Sequence, residues 1–491
     1  MNDKTADSNK RRLAVAAISA VALIILVQFV DSYCTEMFGK TQSLSVRTFL
    51  MDPRGMSSEA AVAYMSRGML PFYLIGALTP FIRSYTDIIG RKMMMIINVA
   101  LLAVGSAVCL LANNLWIYLL GNGILILGYS LDIHLIYIVD AVDRKHRGTV
   151  RGICGGVSMA AAMCIPLLRS LYVDGGGHNW QILYAVGIVG GLIGLVLVML
   201  YRFPNITGSK AAPSVGGSAN RSEGKSVDST ECSTDDGHIH FIKTFKDICR
   251  DHATRNLLIS ISVVGMATAG ITYYNEPLCA FSGMGEGNVN TVLLIQPIAS
   301  LAINVLTGIL ADKMERRYVV QMGIALSLIS GMAFTLGVGH GVSSVLLGIL
   351  WGCMNGFYFS AEELINLMVM ESVDISVRGR ASAMSTLSYG IGDQLGIFAI
   401  SLVVGALGMR WAKLVFLVSP LVIAMVVMRR KEIEKRSEYP ESFEKYNSKK
   451  KRKNTYYRIY VKNYTIFYTI KDNAMEVRRI LSSRRNFDKL I

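Results

Sequence analysis

The sequence predicts an all-α integral membrane protein with twelve transmembrane helices, arranged as two pseudo-symmetric six-helix bundles. Three observations predict this fold. Of the 491 residues, 52% are apolar and only 17% are charged, whereas an average soluble domain carries about 25% charged residues. Twelve stretches are long and apolar enough to cross a bilayer. The second half of the chain also repeats features of the first.

The candidate spans each hold about 20 mostly apolar residues, the length that a helix needs to cross the hydrocarbon core. Six lie in each half of the chain, and a polar stretch of about 50 residues separates the halves. The spans are 13–37, 61–82, 93–112, 115–139, 149–170, 180–202, 256–281, 289–311, 318–338, 344–369, 381–405 and 411–428.

Basic residues are distributed unevenly between the connections. They cluster at both termini and after the even-numbered spans, as in Arg91-Lys92, whereas most other connections are poor in Lys and Arg. Cytoplasmic loops are enriched in Lys and Arg, so both termini are predicted to be cytoplasmic. The connection 38–60 departs from this pattern, since it holds Lys40, Arg47 and Arg54.

The polar segments complete the domain organisation. Residues 204–238 are rich in Gly, Ser, Asp and Thr, which is typical of a flexible linker, and 239–254 has the pattern of an amphipathic helix on the membrane surface. The last 63 residues hold 19 Lys and Arg against 8 Asp and Glu, most of the net charge of +15. The predicted parts are a cytoplasmic N-terminus, an N-terminal bundle, a cytoplasmic linker, a C-terminal bundle and a basic cytoplasmic tail, at 1–12, 13–203, 204–254, 255–428 and 429–491.

An internal repeat relates the two bundles. A shift of 231 positions aligns rare residues of the first half with similar residues of the second: Gly121 with Gly352, Asp132 with Glu363, Asp140 with Glu371, Arg147-Gly148 with Arg378-Gly379, and Trp180 with Trp411. Duplicated six-span halves are typical of transporters whose two bundles rock about a site at their interface.

Two loops resemble a signature of the major facilitator superfamily, G-x-x-x-D-x-x-G-R-[RK]. One runs from Asp87 to Lys92 and the other from Gly308 to Arg317. Two acid-x6-Arg pairs are similar to the second cytoplasmic signature of that superfamily. The resemblance covers 13–428 and implies that these residues close a cytoplasmic gate when the site faces outward; the alternative is that they only anchor loops. They are Asp87, Gly90, Arg91, Lys92, Asp140, Arg147, Gly148, Gly308, Asp312, Arg316, Arg317, Glu371, Arg378 and Gly379.

Several carboxylates interrupt the apolar spans, where a charge costs at least ~2.5–3.5 kcal/mol on insertion scales. They lie in spans 1, 4, 7 and 10, which line the central cavity in the superfamily that the sequence resembles. Such carboxylates can exchange protons or neutralise a cationic substrate; the alternative is hydrogen bonding between helices. With polar and aromatic neighbours, the candidate substrate- or proton-binding residues are Asp31, Asp132, His134, Tyr274, Asn275, Glu276, Tyr358, Glu362 and Glu363.

The sequence therefore favours a secondary active transporter. We expect it to move a small polar or cationic solute by alternating access, with coupling to a proton (or sodium) through the intramembrane carboxylates. The alternatives are a transporter-like sensor or scaffold that moves nothing, and an exporter of lipophilic drug-like compounds. An enzyme is disfavoured, because no nucleophile, base and orienting group are found together.

The expected partners follow from the same features. We predict a protein that works as a monomer in the cell membrane, without a cofactor, a metal or a nucleic acid. The eight cysteines lack the paired spacing of zinc sites. A polybasic run attracts anionic lipids when it lies just beyond a span, and the tail holds such a run at Lys449, Lys450, Lys451, Arg452 and Lys453.

Overall fold

Between residues 22 and 428, every described element is helical. The computed structural model describes residues 22–79, 89–131, 147–173, 179–201, 252–372, 378–428, 457–461, 464–471 and 474–482. The N-terminal half holds α1 (Ala22–Lys40), α2 (Gln42–Val46), a π-helical turn (Arg47–Met51), α3 (Asp52–Arg54), α4 (Ser58–Ala77), α5 (Arg91–Leu110), α6 (Leu115–Tyr129), α7 (Arg147–Tyr172), a 3-10 turn (Trp180–Tyr184) and α8 (Ala185–Leu200).

The C-terminal half begins with a broken helix and ends with a kinked one. It holds α9 (His252–Ile271), α10 (Asn275–Phe281), α11 (Glu286–Lys313), α12 (Arg316–Gly337), α13 (Ser344–Glu371) and α14 (Arg378–Met428). The last is two helices joined at Gly408, whose φ of 76° only glycine adopts readily.

Each predicted span overlaps one of these helices. Spans 11 and 12 together form α14, and span 7 is divided into α9 and α10. Within the described residues, nine stretches are long and apolar enough to cross a membrane. Spans 11 and 12 count once, as α14; α6 is too short to be included, and α4 is not among the nine.

The tail differs from the all-α prediction, because it contains a three-stranded antiparallel sheet. Its strands are β1 (Tyr457–Val461), β2 (Tyr464–Lys471) and β3 (Ala474–Ser482), in the order β1-β2-β3. A register shift interrupts the pairing of β2 with β3 between Phe467 and Tyr468. Aromatic and β-branched residues dominate β1 and β2, and such residues favour strands.

Side-chain contacts show which helix ends lie together. At one end, the Nζ of Lys92 donates to the Tyr201 carbonyl, and Thr254 is hydrogen-bonded to Ser372. We call this the terminal end, because α1 begins and α14 finishes there. At the opposite, distal end, Gln181 donates to the Ala112 carbonyl. Arg410 donates there to the Val338 carbonyl.

The connection between α1 and α4 packs into the distal end. All five residues of α2 are buried. The Trp180 indole donates to the Thr48 hydroxyl over 2.9 Å, and the Phe49 and Tyr118 ring centroids lie 5.2 Å apart. The three basic residues of this connection, which depart from the charge pattern, have structural roles. The Arg54 guanidinium lies 5.7 Å from the Tyr64 ring centroid, and Lys40 and Arg47 take part in contacts between the two halves.

Glycine allows α9 and α14 to approach closely. A Cβ built at Gly392 would lie 1.9 Å from the Ser262 carbonyl oxygen, and one at Gly396 would lie 2.4 Å from the Met266 carbonyl oxygen. Small residues spaced by four are typical of helix contacts inside membranes. The two helices are therefore in backbone contact along this face.

We predict that Gly392→Ala destabilises the protein, because the new methyl group must push two backbones apart. Overpacking of this kind costs about 1–3 kcal/mol. The matched control is Gly405→Ala in the same helix, where a Cβ would have nothing within 4 Å and alanine improves helix propensity. Thermal unfolding of the purified protein should show a lower Tm for Gly392→Ala only. Equal Tm values for the two variants would contradict the close contact.

Candidate functional site

A cavity of about 990 Å³ lies between the two halves. Helices α1, α4, α6 and α7 line it from the N-terminal half, and α11, α13 and α14 from the C-terminal half. Toward the terminal end, the lining of the cavity extends to Thr79, Ser130 and Ser382. A cavity of this volume is within the range that holds a small-molecule ligand.

The cavity is acidic. Five carboxylates belong to its lining, and the described lining residues include no Lys, Arg or His. Polar hydroxyls, amides and aromatic rings make up much of the remaining wall. The acidic residues are Asp31, Glu36, Glu362, Glu363 and Asp393.

The N-terminal wall is a hydrogen-bonded surface between α1 and α7. The Gln28 amide donates to the hydroxyls of Ser32 and Ser158, each over 2.9 Å. Asp31 lies beside these residues in α1 and is only 5% exposed. The wall therefore places a carboxylate next to fixed hydroxyl groups.

The C-terminal wall carries a pair of acids on α13. Glu362 and Glu363 are sequence neighbours that interact electrostatically with each other, and Glu363 is the more exposed of the two to the cavity. Glu362 also interacts with Tyr389 of α14. On the same wall, the Ser360 hydroxyl donates to the Asn304 amide oxygen over 2.9 Å. Two adjacent carboxylates at an aqueous surface can share and exchange protons.

Asp393 lies in α14 among four tyrosines. Its Oδ2 accepts a hydrogen bond of 3.1 Å from Gln394, whereas its buried Oδ1 has no hydrogen-bond partner among the described residues. Asp393 interacts electrostatically with the hydroxyls of Tyr73, Tyr129, Tyr273 and Tyr389. The Tyr73 and Tyr273 rings come from opposite halves, with centroids 5.8 Å apart and planes at 81°.

A network of buried charges closes the distal end; we call it the distal cluster. Its centre is Arg169 of α7, which is 1% exposed. One guanidinium nitrogen lies 2.8 Å from Glu276 Oε1 and the other 2.8 Å from Glu286 Oε2. The first also donates to the Lys40 carbonyl over 2.7 Å. Ser43 donates to Glu276 through its backbone N–H, over 2.7 Å, and through its hydroxyl.

The distal cluster joins the two halves. Its cations, Lys40, Arg47 and Arg169, belong to the N-terminal half, and the acids that pair with Arg47 and Arg169 belong to the C-terminal half. Lys40 also lies 3.8 Å from Glu36 of its own helix. The Lys40 ammonium donates to the Leu293 carbonyl and to the Gln296 amide, over 3.4 and 3.3 Å. Gln296 also lines the cavity. The cluster therefore separates the cavity from the distal surface.

Span 7 is interrupted between α9 and α10. α9 ends at Ile271, and Tyr274, with a left-handed φ of 68°, directly precedes α10. The last carbonyl groups of α9 therefore lack helical partners. The buried Lys413 ammonium donates to the Gly270 carbonyl, and the Asn275 amide donates to the Ile271 carbonyl. A cation is favourable at a helix C-terminus because of the helix dipole.

The structure places the predicted binding residues in three environments. Asp31, Glu362 and Glu363 line the cavity. Glu276, expected beside them, is in the distal cluster, because the break in span 7 directs α10 toward the α1–α4 connection. Tyr274 and Asn275 form that break and are buried. Tyr358 is also buried, and its hydroxyl donates to the Val264 carbonyl over 2.7 Å. The same hydroxyl lies 3.4 Å from the hydroxyl of Tyr389, which lines the cavity.

Two residues of the candidate gate bind the last helix of their own half. Lys92 donates to the Met199 and Tyr201 carbonyls, each over 3.0 Å, at the end of α8. Arg317 donates to the Met428 carbonyl over 3.2 Å at the end of α14. Gly90 precedes α5 with a φ of 90°, which explains the glycine of the motif. These contacts agree with the loop-anchoring alternative.

The other predicted residues within the described ranges can be placed only by their position in the fold, except that Gly308 is exposed with open space around it and Arg316 is half-buried. Arg147, Gly148, Arg378 and Gly379 lie in the first turns of α7 and α14, Arg91 begins α5 and Arg316 begins α12; Gly308 and Asp312 are in α11, and Glu371 ends α13. Asp87, Asp132, His134, Asp140, the linker 204–251 and the run Lys449, Lys450, Lys451, Arg452 and Lys453 lie outside the described residues.

Three charged residues inside the spans are important in the structure but are absent from the residues predicted from the sequence. Asp393 interrupts the apolar span 381–405, and the rule applied to the other acids would have selected it. Lys413 interrupts span 12 in the same way. Arg169 was counted as the end of span 5, where a long basic side chain ordinarily extends toward the membrane surface. Its burial depends on two acids from the other half, which the sequence of α7 does not indicate.

Comparison with known proteins decides the family. The family model described as Major Facilitator Superfamily matches residues 56–392 and 282–470, which together cover most of the chain. The chain belongs to this superfamily. The resemblance of the sequence to this superfamily is thereby confirmed. Membership shows a multi-pass membrane protein of a transporter family, and the proteins of this family are not enzymes.

Individual members that resemble the chain have different substrates in their names. The triacylglyceride transporter of Mycolicibacterium hassiacum is 28% identical over 39% of this chain. Organic cation/carnitine transporter 2 of Arabidopsis thaliana is 23% identical over 63% of this chain. The chain spans 34% and 62% of the lengths of these two relatives. Among solved structures, D-xylose-proton symporter matches with 14% identity and a TM-score of 0.62, over 84% of this chain and 97% of that one.

Proposed function

We propose that this superfamily member is a secondary active transporter for a small polar or cationic solute, coupled to protons through the cavity carboxylates. The observation that carries the proposal is the acid-lined cavity between the halves, separated from the distal surface by the distal cluster. A site at the interface of two repeats is what alternating access requires. One similar protein is named as an organic cation/carnitine transporter and another as a D-xylose-proton symporter. These names support transport of a small polar or cationic solute.

The proposed topology has twelve spans in two bundles, with both termini in the cytoplasm and the distal end outside the cell. The cavity is then an inward-facing site that reaches toward the cytoplasm. Residues 13–203 and 255–428 are the proposed bundles, joined by the cytoplasmic segment 204–254. The proposed setting is a monomer in the cell membrane, with anionic lipid bound at the basic tail.

The gate motifs support a refinement of the sequence hypothesis. Lys92 and Arg317 each hold the last helix of their half at the terminal end. A bundle fastened in this way moves as a rigid unit, which rocking of two bundles needs. We propose that these two residues keep each half intact, while the remaining motif residues form the cytoplasmic gate in the outward-facing state.

Uptake into proteoliposomes tests the proposed function. The purified chain is reconstituted with an acidic lumen or an acidic exterior, and sugars, amines, amino acids, nucleosides and organic acids are supplied outside. Accumulation of one class that depends on the direction of the pH gradient is the expected result. Equilibration without accumulation would contradict proton coupling, and the absence of movement for every class would favour the sensor or scaffold alternative.

A further inference from the structure

We infer that the substrate site is built for an organic ammonium ion without a carboxylate, and that Asp393 and the Tyr73–Tyr273 pair hold its cationic group. This inference rests on the proposed transport function and specifies the ligand of the same cavity. It assigns the subsite to one acid of α14 and to two tyrosines from opposite halves, none of which the motifs indicated.

The first support is the state of the Asp393 carboxylate. Its Oδ1 is buried and has no hydrogen-bond partner among the described residues, and its Oδ2 accepts a hydrogen bond only from the neutral Gln394 amide. A buried acid that lacks a partner is costly. A bound cation would supply the missing partner, which makes this oxygen a natural point of attachment for an ammonium group.

The second support is the aromatic wall around that acid. Tyr73 and Tyr273 line the cavity with their planes at 81°, so the two rings form walls of different orientation. Tyr129 and Tyr389 belong to the same lining. Aromatic faces attract cations, and aromatic cages are a recurrent way to hold a quaternary ammonium group.

The third support is the sign of the charges in the cavity. Five acids and no base occur among the described lining residues. The Lys40 ammonium, behind the wall, already lies 3.8 Å from the lining acid Glu36, so a carboxylate on the substrate would meet mainly acids in the cavity and be repelled by them. The cavity should therefore prefer a simple cation such as choline to a zwitterion such as carnitine, and both to a neutral sugar.

The two rings of the tyrosine pair come from opposite halves of the protein. Tyr73 belongs to α4 of the N-terminal half, and Tyr273 precedes α10 in the C-terminal half. The rings are in edge-to-face contact, with centroids 5.8 Å apart, so a cation that lies against the cavity side of the pair contacts both bundles at once. Binding is then strongest in states where the two rings remain close, which links occupancy of the site to the relative position of the bundles.

The test measures binding of choline to the purified full-length protein by thermal shift and by equilibrium displacement of labelled choline. The neutral comparison compound is 3,3-dimethylbutan-1-ol, which has the shape of choline without its charge. Carnitine and xylose complete the set. We expect choline to bind at least ~10-fold more tightly than each of the three, a difference of about 1.4 kcal/mol or more. If the wild-type protein binds choline and its neutral isostere equally well, the inference is overturned without any variant.

Variants then locate the subsite. Asp393→Asn should reduce choline affinity at least ~10-fold, whereas Asp52→Asn, at an exposed acid outside the cavity, should leave it unchanged. Tyr273→Phe keeps the ring and should stay within about twofold of the wild type, whereas Tyr273→Leu should lose about tenfold. Unchanged affinity in Asp393→Asn, or equal losses in both Tyr273 variants, would rule out this subsite.

The choline-binding test and the uptake test can fail independently of each other. Gradient-driven uptake of xylose without choline binding would leave a proton-coupled transporter and reject the organic cation. Charge-dependent choline binding without movement of any solute would keep the site and reject transport.

Discussion

Replacing Arg169 by glutamine is expected to open the distal end of the protein. The substitution leaves Glu276 buried beside a neutral amide, and removal of one partner from a buried ion pair costs about 3–5 kcal/mol. In a state whose distal end is open, water reaches Glu276 and most of this cost disappears. The equilibrium should therefore move toward the open state by a factor of roughly 10²–10³.

The measurement is the labelling rate of a cysteine placed at Thr35, an exposed position of the cavity wall. A membrane-impermeant maleimide is added outside intact cells that express Thr35→Cys, with and without Arg169→Gln, in a background lacking the native cysteines. We expect at least a ~10-fold faster reaction with Arg169→Gln. The same rate in both proteins, at equal surface expression, would mean that the distal cluster does not hold this end closed.

Arg47 provides the matched control. It lies 3.7 Å from the other oxygen of Glu286, and its side chain is 34% exposed. Exposed ion pairs contribute at most about 1 kcal/mol, so Arg47→Gln should change the labelling rate less than about fivefold. The double variant Arg169→Met, Glu276→Met should also return toward the original rate, since replacing both members of a buried pair by apolar residues is often neutral.

Neutralising Glu363 is expected to abolish uphill accumulation while exchange of substrate continues. Glu363 is the acid of the α13 pair that is more exposed to the cavity, so it can exchange protons with water in the inward-facing state. Glu363→Gln removes this carrier of protons without removing the cavity. For one proton per substrate, a pH difference of one unit supports about tenfold accumulation, and the variant should fall to a ratio near one.

The assay compares net accumulation with counterflow in the same proteoliposomes, using the solute that the wild type accumulates. Glu363→Gln should lose the first and retain the second, and Glu362→Gln should show whether the pair acts jointly. Asp52→Asn serves as the control, because it removes an exposed acid outside the cavity. Normal accumulation by both Glu variants would assign proton coupling to another group, with Asp31 and Asp393 the next to be tested.

The fold could be predicted largely from the sequence because its determinants are local. A run of about 20 apolar residues must form a helix in a bilayer, where backbone groups have no water to bind. The glycine of the Asp87 loop follows from a single backbone angle, the φ of Gly90. The tail sheet was missed although its strands are consecutive in sequence, because a short stretch that mixes apolar and basic residues has no decisive periodicity.

The cavity could be predicted only in part. Asp31, Glu362 and Glu363 were selected because an acid in an apolar span is costly wherever it faces, and the structure places all three on the cavity wall. Glu276 was selected for the same reason and lies instead on Arg169. Burial cost shows that an acid must have a partner but does not say which one, because the partner comes from another helix.

The sequence by itself determined the class of protein, the helical segments, the repeat and the family, since hydropathy, motif spacing and internal similarity are properties of consecutive residues. The tertiary structure alone decided which charges meet. The distal cluster unites Lys40, Arg169 and Glu276 from three helices, and the proposed cation subsite unites Tyr73, Tyr273 and Asp393. Electrostatic and hydrogen-bond energies depend on distances of a few ångströms between side chains, and those distances are set by the packing of whole helices across the two halves.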